Sequence, residues 1–153
     1  MADGNNHRAA SLPDAPDPAL RRLEPLVGTW EISGSLVQGR VRFEWMTGGF
    51  YLVQHVELAR PGRELIGVEY IGYDEDTGTL RSHFMDNHGA DFTYTWDVQG
   101  RELYTWFGQK GSDNFFHGRF SQDGDRYDGA WQWPDGHGGT GGYSATGIRV
   151  GVP

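Results

Sequence analysis

From Gly28 onward the chain is cut at short intervals by turn dipeptides: Gly48-Gly49, Pro61-Gly62, Thr77-Gly78, His88-Gly89, Gln99-Gly100, Asp123-Gly124 and Asp135-Gly136. The segments between them alternate apolar and polar residues and carry no helical period, which is the pattern of half-buried strands. Glycine suits the breaks because hairpin turns call for φ > 0, a region that a Cβ disfavours. Counting segments predicts ten strands, starting near Thr29, Arg40, Phe50, Glu64, Thr79, Ala90, Arg101, Asn114, Asp125 and Gly142. Ten sequential strands with short loops predict an all-β, antiparallel up-and-down meander. Closing it into a ten-stranded β-barrel removes the exposed sheet edges. No segment repeats, which disfavours propeller blades.

Residues 1–16 are polar and proline-bearing and read as a disordered N-terminal tail; residues 17–153 read as one barrel domain. Asp17-Pro18 has the chemistry of an N-cap followed by proline in the first turn, so "ALRRLEPL" predicts one short helix. The apolar share is only 37%, but 14% of the residues are aromatic, and their rings bury large areas. A net charge of −8 is the wrong sign for nucleic acid or an anionic membrane surface. Without cysteine, disulfides, thiolate nucleophiles and cysteine metal sites are excluded. The N-terminus lacks a secretory pattern and no segment approaches the roughly 20 apolar residues of a membrane span, so a cytoplasmic protein is expected. A homodimer stays open as its oligomeric state.

Turn length decides which residues share a face of the sheet. A two-residue turn at Gly48-Gly49 sets Trp45 opposite Leu52, Phe43 opposite Gln54 and Val41 opposite Val56, with Arg42, Glu44, Val53 and His55 on the other side. Gln99-Gly100 treated alike pairs Trp96 with Leu103, Tyr94 with Thr105 and Phe92 with Phe107. Asp123-Gly124 pairs Phe120 with Tyr127, Phe116 with Trp131 and Arg119 with Asp128. Each hairpin sorts into an aromatic face and a charged face, and that consistency makes the aromatic face the barrel interior.

The stretch "HFMDNHGADFTYTW" places His83, Asp86 and His88 close together, as a metal or acid–base site would. Its Asp86-Asn87-His88-Gly89 core also has the preferences of a three-residue hairpin loop, Asp first and glycine last. That turn sets Phe84 opposite Phe92, joins Ser82 and Phe84 to the aromatic face and sends His83 outward. An even-length loop would instead put His83 beside Tyr94 and Trp96.

The phrase "LEPLVGTWEISG" resembles the Gly-x-Trp opening of lipocalins and the calycin superfamily, with Gly28, Thr29 and Trp30 at the first strand. The ordered series "FEWMTGGFYLVQHVE", "IGYDEDTGTLRSHFMDNHG", "YTW", "FHGRFSQDGDRYDGAWQWPDG" and "GYSATGIRV" resembles a large uncharacterised bacterial family of lipocalin-like single domains. The resemblance covers Leu23 to Val150. It implies a calycin-like barrel that holds a small ligand or has a filled core, with the Trp plugging its base. The chain is more distantly similar to the nitrobindins, ten-stranded haem barrels with a haem-ligating histidine near the C-terminal strand. Here "GYSATGIRV" has no histidine and His137 lies in the loop "PDGHGGTGG", a departure that speaks against haem.

No cofactor and no metal are expected. His55, His83 and His117 fall on the outer face near Glu57 and Asp128 but lack the i, i+2 or i, i+4 spacing of a compact ligand set. "YDEDTG" and "SQDGD" lack the calcium-loop spacing, and "GHGGTGG" does not lead from a strand into a helix as a phosphate cradle would. No nucleophile elbow is present. The candidate ligand-binding wall is therefore the aromatic face: Phe43, Trp45, Leu52, Gln54, Phe84, Tyr94, Trp96, Thr105, Phe107, Phe116 and Trp131. Gln54, Ser82, Tyr94 and Thr105 would be polar points in an apolar wall, and Gly118 opposite Gly129 could leave room. The same rings could instead fill the barrel. An inside-out barrel would enclose Arg42, His55, Arg81, Tyr104, Trp106 and His117, but would expose the aromatic face to water.

The leading functional expectation is binding of a small, largely apolar or aromatic molecule in the interior. The alternatives are an enzyme of cyclase or isomerase type, with Tyr94 or a mouth histidine moving a proton, and a haem-binding barrel.

Overall fold

The computed structural model describes residues 11–151, so most of the expected tail lies outside the described residues. A 3₁₀ helix, Pro18–Leu26, precedes ten strands: β1 Gly28–Gly34, β2 Gln38–Trp45, β3 Tyr51–Arg60, β4 Arg63–Asp74, β5 Thr79–Asp86, β6 Asp91–Gln99, β7 Glu102–Phe107, β8 Phe115–Phe120, β9 Arg126–Pro134 and β10 Thr140–Gly151. Each starts within two residues of the expected place. Sequential antiparallel pairing runs from β1 to β10, and β10 pairs back onto β1 to close the barrel. No helix among the described residues is long and apolar enough to cross a membrane.

The helix starts as its sequence dictates: Asp17 Oδ1 accepts the Ala19 N–H at 2.9 Å, and Pro18 occupies the first turn. It continues as 3₁₀ because its buried leucines, Leu20, Leu23 and Leu26, recur every third residue, which aligns them at three residues per turn. They plug one end of the barrel. Trp30 lies beneath them, fully buried, with its indole N–H on the Leu26 carbonyl at 2.8 Å and its rings against Phe120 and Tyr127. Arg149 lies over the Trp30 ring at 4.3 Å and donates to the carbonyls of Pro25, Val27 and Gly124. The helix, its capping residues and the last strand are thereby tied to one closed end.

The registers sort the faces as the turns predict. Phe43 pairs with Gln54, Phe84 with Phe92, Phe116 with Trp131 and Gly118 with Gly129. The β6–β7 hairpin differs: Tyr94 pairs with Phe107 and Trp96 with Thr105, because its loop is Gly100-Arg101 rather than Gln99-Gly100. A shift of this kind preserves parity, so every side chain keeps its face. The aromatic face is inside, and the inside-out arrangement is excluded. The outer histidines each meet one carboxylate: His55 meets Glu44, His83 meets Asp91 and His117 meets Glu102. Arg119, whose backbone pairs with Asp128, carries its side chain to Glu102 at 3.1 Å. Among the described residues no three histidines or carboxylates converge as a metal site.

Candidate functional site

Interior side chains divide the barrel along its axis. At the closed end Leu23, Trp30, Leu52, Ile71, Leu80 and Phe120 pack solidly. Toward the other end the rings stand apart and enclose a cavity of about 570 Å³, with Leu26 and Tyr127 in its floor. It opens between the β3–β4 and β5–β6 turns, past Arg60, Arg63 and His88. That volume falls within the roughly 300–1,000 Å³ of small-molecule sites.

Phe43, Gln54, Phe84, Tyr94, Trp96, Thr105, Phe116 and Trp131 all line it. Three candidates from the sequence do not. Leu52 and Trp45 face each other at the foot of β3 and β2, where Leu52 is sealed in the packed end and Trp45 reaches Glu24 of the helix at 3.2 Å. Phe107 sits at the outer end of β7, 39% exposed, with its ring against Phe92 and Tyr94. The space over Gly118 and Gly129 is not free either: a Cβ on either glycine would come within 2.7 Å of the Phe116 ring. The glycines seat that ring and so help make the wall.

The wall also holds a group the sequence reading misses. Glu69, on β4, points inward and is only 3% exposed. Its Oε1 accepts from Gln54 Nε2 at 2.7 Å, and its Oε2 accepts from Ser82 Oγ at 2.5 Å and from Trp96 Nε1 at 2.9 Å. Four adjacent strands, β3 to β6, thus contribute one polar group each. Burial raises the Glu69 pKa above its ordinary value, against the three hydrogen bonds that favour the anion. Glu69 was legible in one step: the turn at Pro61-Gly62 pairs Arg60 with Arg63, and counting back along both strands sets Glu69 opposite Gln54.

Two hydroxyls in the wall, Tyr94 and Thr105, have no hydrogen-bond partner among the described residues at the cavity side, although the Thr105 residue is buried. Burial, and then the nearby Glu69 charge, push the Tyr94 phenol well above its ordinary pKa. It therefore stays protonated, suited to hydrogen bonding and unsuited to shuttling protons. At the rim, the Arg60 guanidinium lies over the Tyr143 ring at 5.3 Å.

The two histidines flanking Asp86, His83 and His88, take different places. The β5–β6 loop is the three-residue hairpin, with Gly89 at φ +85° and its N–H on the Asp86 carbonyl. His83 is outside, while His88 at the tip borders the cavity mouth and its Nε2 meets the Glu64 carbonyl at 2.7 Å. His137 is exposed in the β9–β10 loop. A second, larger groove of about 880 Å³ runs outside the closed end, between residues 12–15 and Phe50, Tyr51 and Tyr73. It lies away from the buried carboxyl, so the interior is the candidate site.

No family model matches this sequence, and no curated protein matches it. Its fold is similar to that in the crystal structure of Rv2717c from M. tuberculosis, with a TM-score of 0.57 and 17% identity over 88% of this chain and 99% of that one. At that identity the likeness establishes the β-barrel fold and nothing about activity.

Proposed function

We propose that this chain is a lipocalin-like barrel that binds a small, largely apolar or aromatic molecule in its interior. One observation carries the reading: an aromatic-walled cavity of about 570 Å³ that contains a buried carboxyl and two hydroxyls with no hydrogen-bond partner among the described residues. Apolar walls supply affinity at about 25 cal/mol per Å² covered, and the few polar groups fix orientation. Trp131 and Tyr94, whose ring centroids are 6.0 Å apart, provide an aromatic corner against which a planar ligand packs.

The test is titration with the neutral fluorophore N-phenyl-1-naphthylamine. Saturable one-to-one enhancement is expected, and Trp131→Ala should weaken it about tenfold, equivalent to about 1.4 kcal/mol. Emission that rises without saturation, and equally in the variant, would refute interior binding.

A further inference from the structure

We propose that the interior selects an amine: a protonated primary or secondary nitrogen on an apolar or aromatic body, seated against Glu69. This rests on the binding reading above and specifies the ligand's head group.

A carboxylate offers about four acceptor positions on its two oxygens. Gln54 fills one on Oε1, and Ser82 and Trp96 fill two on Oε2. The remaining position, on Oε1, has no protein donor among the described residues, and Glu69 borders the cavity. Its complement is an N–H or O–H of the occupant.

Charge narrows the choice. Among the described residues no arginine, lysine or histidine lies within ion-pair distance of Glu69. The groups facing it are Gln54 from β3, Ser82 from β5, and Tyr94 and Trp96 from β6, none of them cationic. Farther toward the mouth stand Arg60, Arg63, Asp86 and Tyr143. With a rise of about 3.3 Å per residue, the two arginines are roughly 20 Å along their strands from Gln54 and Glu69, too far to neutralise the carboxyl. Three donors are aimed at a buried group whose anion has no counter-ion, and burial already works against that anion. An ammonium supplies the missing charge and the missing donor together. The surrounding rings suit it as well, because Phe43, Trp96 and Tyr94 present π systems that attract cations in a desolvated site. The net charge of −8 attracts cations to the molecule as a whole.

The experiment compares three probes of matched shape at neutral pH by calorimetry: 1-naphthylmethylamine, 1-naphthalenemethanol and 1-naphthoate. The native protein should bind the amine at least tenfold more tightly than the alcohol, and the carboxylate most weakly. Glu69→Gln, nearly isosteric, should cost the amine at least tenfold more affinity than it costs the alcohol, which erases the preference between them. Should that variant fail to fold, Glu69→Asp keeps the charge but draws it back by one methylene, and amine binding should fall more than alcohol binding. If the alcohol binds but the amine binds no better, or if Glu69→Gln leaves the preference intact, the amine proposal is overturned while interior binding stands. If none of the three binds, both fall.

Discussion

A partly buried arginine and a fully buried glutamate do opposite things in this barrel. Arg149, 16% exposed along its side chain, is fully engaged: it stacks on Trp30, meets Asp125 at 2.9 Å and donates to three carbonyls of the closed end. Lysine at this position keeps the charge but lacks the planar fork that reaches several acceptors at once. Arg149→Lys is expected to lower stability by about 2 kcal/mol, seen as a lower urea midpoint at unchanged slope. Glu69 is hydrogen-bonded yet lacks a counter-ion, so its cost varies with pH. Its folded pKa lies above the ordinary 4.5, so above pH 4.5 the folded state binds the proton more tightly than the unfolded chain does. Stability from this group is full below that pH and declines as pH rises through the folded value. Glu69→Gln has no proton to lose. The difference in urea midpoint between variant and native protein should therefore grow in the variant's favour as pH rises above 4.5. A flat difference would mean that the carboxylate is as well accommodated folded as unfolded.

At the scale of the hairpin, turn chemistry controls both register and the cavity mouth. Asp86 Oδ1 accepts the N–H groups of His88 at 2.8 Å and Ala90 at 3.0 Å, which holds the β5–β6 loop in the shape that brings His88 and Gly89 to the rim. Asp86→Ala removes both bonds and should cost about 1 kcal/mol. Faster amide exchange of residues 87–90, with the β8–β9 hairpin unaffected, is the check. The same chemistry explains why the fold was legible in the sequence: short loops with glycine at the positive-φ position fix which residues oppose each other, and parity does the rest. The β6–β7 register was the exception because Gln99-Gly100 and Gly100-Arg101 both satisfy a tight turn, and residue chemistry does not choose between them. The site was legible only in part. Parity separates inside from outside but carries no information on depth, so Leu52 and Gln54, two positions apart on one face, could not be assigned to packed floor and open wall. The Pro61-Gly62 turn is as informative as the others, and the register it sets puts Glu69 beside Gln54 on the inner face.

For the whole barrel, the choice between an open and a filled interior resolves into both, at different heights. The closed half joins helix, β1 and β10 around Trp30 and carries the tight packing that stabilises the molecule. The open half leaves aromatic surface facing a void, where the dispersion contacts that a filled core would make are absent. Stability and binding should therefore trade against each other at the cavity wall. Ala145 tests this, since it faces inward from β10, is buried and borders the cavity. Ala145→Leu adds apolar carbons where there is empty space. With about 0.8 kcal/mol for each buried methylene, less the loss of rotamer freedom, it should gain about 1 kcal/mol. The leucine also occupies volume that a ligand needs, so N-phenyl-1-naphthylamine affinity should fall at least tenfold as the melting temperature rises. Arg149→Lys, acting at the other end, should lower the melting temperature and leave that affinity unchanged. If instead Ala145→Leu destabilises the protein, the wall at β10 is already packed to contact, and the void lies nearer the β4–β6 side, around Glu69.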